Sequence, residues 1–130
     1  MSANYQALAV HFDSVAAATA EQREVAWPFP GTWRVESVFV APSTTAAANG
    51  TNFTTVALEA NDGQAGSYTR LGQLDTSSVP LTVGTRRAMA MDASVSQEIA
   101  QGHLLRIDKS NDGTGAMFDG GVTVLASRVD

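Results

Sequence analysis

Turn signals recur along this chain roughly every 8–12 residues, and no stretch between them sustains a 3.6-residue apolar period long enough for a crossover helix. Pro28-Phe29-Pro30-Gly31, Asn61-Asp62-Gly63, Gly84 and the four glycines between Ser110 and Gly121 are the strongest of these signals. Proline cannot donate to a ladder, and Asp-Gly or Asn-Gly supplies the positive φ that tight hairpins need. Parallel sheets require long crossovers, so the spacing points to antiparallel pairing. An all-β, antiparallel sandwich of about eight short strands is the expected fold.

The segments between the turns support it. Trp33 to Ala41 (WRVESVFVA) is rich in aromatic and β-branched residues. Strict alternation puts Trp33, Val35 and Phe39 on one face and Arg34, Glu36, Val38 and Val40 on the other. Phe53 to Ala60 reads as a strand anchored by Val56 and Leu58. Ser67 to Leu71, Val79 to Val83 and Arg86 to Met91 read as further strands, and Gly72 to Ser78 as a polar connection. His103 to Lys109 and Val122 to Val129 read as a final pair, with Leu105, Ile107, Val122 and Val124 inward. Ala7 to Phe12 suits a strand, Val15 to Ala20 is alanine-rich and helix-permissive, and Ser94 to Gln101 suits one helical turn closed by Gly102. The domain reading is an N-terminal segment, 1–20, followed by a sandwich, 21–130.

Composition limits the function. The chain has 130 residues, room for one domain, and 44% of them are apolar, which suits a packed core. It contains no cysteine, so disulfides, thiolate nucleophiles and the common structural zinc sites are excluded together. Thirteen acidic residues against eight basic ones give a net charge of −5. Affinity for nucleic acid rests on neutralising phosphates, and the basic pair Arg86-Arg87 makes no patch; nucleic acid is not an expected partner. No run reaches the ~18 apolar residues of a membrane span. The opening Met-Ser-Ala-Asn-Tyr-Gln lacks the basic start and apolar stretch of a secretory signal, so assembly in a cytoplasm is expected. Asn49-Gly-Thr51 and Asn52-Phe-Thr54 then read as turn residues rather than glycan acceptors.

Candidate chemistry is sparse. Asp108, Ser110, Asp112, Gly113 and Asp119 repeat the oxygen-ligand spacing of a calcium loop, in which a hard cation gathers oxygens around a glycine bend. Strands rather than helices flank them, so a plain loop is the favoured reading. His11 and His103 are the only histidines, and no nucleophile elbow or phosphate loop accompanies them. No cofactor is expected, and the chain reads as a non-enzyme. Trp27, Phe29 and Trp33 gather around the Pro-Gly corner. Trp33 is read as a plug for one end of the core. Trp27 and Phe29, with Tyr5, are the candidate partner contacts.

The order Trp27-Pro28-Phe29-Pro30-Gly31-Thr32-Trp33, a strand ending in Ala41-Pro42-Ser43, and an alanine-rich loop into Asn52-Phe53-Thr54 form one pattern. Ile99-Ala100-Gln101-Gly102-His103-Leu104-Leu105-Arg106 and the closing Asp119-Gly120-Gly121-Val122-Thr123-Val124 form another. Together they resemble the small jelly-roll head decoration proteins of tailed bacteriophages, with Gly102-His103 departing from the usual Gly-Asp. The resemblance spans Trp27 to Val129. It implies a jelly roll and a homotrimer on the capsid exterior of a virion, clamping neighbouring major capsid protein subunits. It further implies that residues 1–20 form a capsid-binding arm. The alternative is a carbohydrate- or receptor-binding module of a phage fibre or tail, calcium-dependent through Asp108 to Asp119, with Trp27, Phe29 or Tyr68 as sugar platforms.

Overall fold

The computed structural model describes residues 4–64 and 66–129. Ten strands, and no helix, run in order among them: β1 (Tyr5–Val15), β2 (Glu21–Ala26), β3 (Thr32–Pro42), β4 (Phe53–Asn61), β5 (Thr69–Asp75), β6 (Arg87–Ala88), β7 (Ala90–Met91), β8 (Glu98–Ala100), β9 (Leu104–Asp112) and β10 (Phe118–Arg128). A front sheet has the order β1-β10-β3, with β6 and β8 both on the far edge of β3; a back sheet has the order β2-β9-β4-β5-β7. Every pair is antiparallel. The pairing is nested: β1 takes β10, β2 takes β9, β3 takes the β6–β8 segment and β4 takes β5. This is the wrapped order of a jelly roll.

The sandwich expected from the turn spacing is present, and the inward anchors hold. Val56, Leu58, Leu105, Ile107, Val122 and Val124 are all buried between the sheets. Each such side chain contributes about 1.5–3 kcal/mol by leaving water. Phe12 of β1 and Phe118 of β10 pack with ring centroids 5.5 Å apart at one end. The corner at 28–31 separates β2 from β3, with Gly31 at φ 98°.

Several readings are corrected. The strand read over Ala7 to Phe12 is present and longer: Tyr5 to Val15 pairs with β10, and Phe12 and Val15 enter the core. Residues 1–3 of the N-terminal segment lie outside the described residues. The helix-permissive stretch after β1 is a turn. Lys109 projects inward from β9, fully buried, and donates to Ala16 O at 3.2 Å, Thr19 O at 2.6 Å and Asn111 Oδ1 at 2.6 Å. All three ammonium protons are thereby used, two of them on carbonyls of the turn. Burial holds this amine below the usual lysine value, with the facing Glu21 opposing the shift.

Gly72 to Asp75 continues β5 rather than forming a loop. Within Val79 to Val83 the pairing is a single bridge from Leu81 to Ala46. Within Ser94 to Gln101, Glu98–Ala100 forms β8 against β3 in place of a helical turn. The expected final pair is split: β9 lies in the back sheet and β10 in the front, joined by a crossing at 113–117. Gly115 passes so close to β4 that a Cβ would stand 2.3 Å from Phe53 O. Finally, β3 carries an extra residue at Glu36, where its register with β10 shifts. A bulge flips the alternation. Val38 and Val40 therefore point into the core, and Phe39 points out.

Candidate functional site

The sandwich has two outer faces, and they differ in kind. On the front sheet the rows running across β1, β10 and β3 are Ala7–Leu125–Ser37, then Ala9–Thr123–Phe39, then His11–Gly121–Ala41. Ala88 of β6 extends the middle row beyond Phe39. This surface follows directly from β1, whose YQALAVHF alternates Tyr5, Ala7, Ala9 and His11 outward with Gln6, Leu8, Val10 and Phe12 inward. Charges stand at its margins. Arg34 and Glu36 occupy one end, His11, Asp13 and Asp119 the other, and the Arg86 guanidinium lies 4.2 Å over the Phe39 ring at the side.

On the back sheet one row alternates in sign across four strands: Glu24 of β2, Arg106 of β9, Glu59 of β4 and Arg70 of β5. Arg106 reaches Glu59 Oε1 through Nη2 at 2.8 Å and Nε at 2.9 Å. Arg70 reaches Glu59 Oε2 at 3.2 Å and Asp108 Oδ2 at 3.4 Å. Glu59 points outward yet keeps only 8% of its surface, because its two arginines cover it. Tyr68 lies under Arg106, guanidinium to ring centroid 3.8 Å, and its hydroxyl donates to Glu24. Burial and that carboxylate push its phenol up to about 12.

The residues singled out from sequence fall as follows. Trp27 is wholly buried, so it is a core residue and not a partner contact. It packs against Phe29 at 5.0 Å and Trp33 at 6.0 Å between ring centroids. Phe29 is half-buried against the same cluster, and Trp33, donating from Nε1 to Pro30 O at 3.0 Å, plugs the core end as expected. Of the three partner candidates, Tyr5 is the one standing free, 58% exposed at the edge of the front face. Asn49 is a turn residue, as read: its Oδ1 accepts from the backbone N–H of Thr51 and Asn52.

The calcium-loop residues are not brought together. Asp108, Ser110 and Asp112 alternate along β9, so the two aspartates are about 13 Å apart along the strand, too far to share one ion. Asp119 belongs to the opposite sheet. The histidines also stay separate. His11 is level with Ala41 of β3, while His103 follows β8, which pairs with Thr32 at the other end of that strand, about 30 Å away. His103 lines a cleft of about 340 Å³ with Asp62, Ser67, Ser96 and Glu98. His11 instead meets Asp13 and Asp119, with Nε2 3.0 Å from Asp13 Oδ1 and 3.7 Å from Asp119 Oδ1.

Sequence reasoning missed the front face and the charge ladder. The alternating small residues of β1 were a readable signal for the first. The second depends on the register of four strands, which no local pattern carries. No family model and no curated protein matches the chain.

Proposed function

We propose that this chain is a non-enzymatic docking module that seats its front face on another protein. The finer reading is a decoration protein on the outside of a phage capsid, bridging neighbouring major capsid protein subunits as a homotrimer. One observation carries the docking part: a sheet face three strands wide, built of alanine, glycine, serine and threonine around Leu125 and Phe39, with charges at its margins and the Arg86 guanidinium over Phe39. Ordering a long side chain at an interface costs about 0.5–1.5 kcal/mol, and alanine and glycine have no such freedom to lose. Burying the back face would instead strip water from an ion network already satisfied within the chain, at a net cost unless every partner is replaced.

The capsid part is supported by the sequence resemblance and by a wrapped strand order of the kind that resemblance implies. Many weak contacts suffice in that setting, because a trimer bound at one point meets its remaining sites at high effective concentration. The carbohydrate alternative has less support. Trp27 is buried, Tyr68 is held by Arg106 and Glu24, and the calcium ligands are dispersed.

Addition of the purified chain to capsids stripped of their decoration tests the reading. The expected result is saturable binding and a rise in the temperature at which the shells break. Shells that neither bind it nor change in stability would refute the capsid role.

A further inference from the structure

His11, Asp13 and Asp119 present one imidazole nitrogen and two carboxylates whose ligating atoms all lie within 4.8 Å of one another. The arrangement is made by the sheet. His11 and Asp13 are two residues apart on β1 and share its outer face, while Asp119 is brought alongside by β10. The register slips here, so that Asp13 and Ser14 together stand against the single Asp119. Bulges of this kind re-aim side chains. Like charges set across a strand pair repel, and a cation held between the two carboxylates would relieve that repulsion. The residue opposite His11 is Gly121, where an added Cβ would meet nothing within 4 Å, so the space beside the imidazole is open.

We propose that this triad is a surface site for a divalent transition-metal ion of the zinc class, independent of any capsid role. The ion's bonds to nitrogen and carboxylate oxygen are about 2.0–2.2 Å, so tetrahedral ligands stand about 3.4 Å from each other. The observed separations of 3.0 Å and 3.7 Å from His11 Nε2 straddle that value. Asp13 is 87% exposed at its side chain and adjusts without disturbing the core. Three protein ligands leave the fourth position to water or to a donor on a docked partner. The imidazole selects against calcium and magnesium, which prefer all-oxygen shells.

The test is calorimetric titration of the untagged full chain with zinc, alongside NMR spectra of the two imidazole rings. One equivalent of zinc is expected to bind and to move the His11 ring signals while those of His103 stay in place. His11→Ala, Asp13→Asn and Asp119→Asn are each expected to weaken binding by about tenfold or more, with calcium unable to substitute. The rival is a simple ion pair, in which His11 bridges the carboxylates by itself. Zinc up to about 1 mM leaving the His11 ring unmoved would establish that rival and overturn the proposal. Binding that survives His11→Ala, or that shifts His103 instead, would overturn it equally.

Discussion

The two outer faces of this sandwich arise from the same alternating strands and solve opposite problems. The back face carries Glu24, Arg106, Glu59 and Arg70 in one row and satisfies its charges internally. The front face carries Ala7, Ala9, Thr123 and Ala41 in its rows. Burial of the Glu59 carboxylate under two guanidinium groups makes the back face part of the folded structure. The small side chains of the front face are expected to contribute little to folding beyond the backbone ladder. On the proposed reading stability and binding reside on different surfaces, so that one can change without loss of the other.

Charge substitutions at matched places break that comparison if it is wrong. Glu59→Lys sets a third positive charge between Arg70 and Arg106, and is expected to cost about 3–5 kcal/mol in urea denaturation. Thr123→Lys, at the centre of the front face, is expected to stay within about 0.5 kcal/mol of the parent. Equal losses would mean that the front face is also structural. Glu59→Gln keeps the shape and removes the charge, so a loss of about 2 kcal/mol is expected. Arg70→Gln removes a half-exposed partner and should cost about 0.5–1 kcal/mol, shrinking as salt is added.

The smallest effect is one of pH. The Tyr68 phenol, raised to about 12 in the fold, keeps its proton where an unfolded tyrosine would lose it. The folded state therefore binds more protons above about pH 10. This contribution is complete below that point and disappears as pH rises through about 12. Ultraviolet titration should show one late tyrosine, absent in Tyr68→Phe. A late transition that persists in that variant would remove Tyr68 from the ladder.

What the sequence made legible was local. Val56, Leu58, Leu105 and Ile107 sit where two-residue alternation places them, and the Pro28 to Gly31 corner turns where proline and glycine demand it. Lys109 shares the parity of Leu105 and Ile107, so its burial was written in the pattern, although a lysine is seldom expected inside. The bulge at Glu36 was not legible. A single extra residue reverses which side of β3 enters the core, and that depends on β10, more than eighty residues away in the chain. The same holds for the split of β9 and β10 between sheets, and for Trp27, whose neighbouring prolines suggested exposure while the aromatic cluster buried it. The His11 triad was half readable: His11-x-Asp13 is local, but Asp119 joins only through strand register.

The central claim is that partners meet the front face, and its most direct measurement compares two variants of equal charge change on stripped capsids. Thr123→Lys buries an unpaired ammonium in the interface and is expected to weaken docking by about a hundredfold. Gln22→Lys, exposed on the back face beside Asp108, is expected to dock like the parent. If Gln22→Lys abolishes docking while Thr123→Lys binds normally, the assignment of the faces is reversed and the account fails.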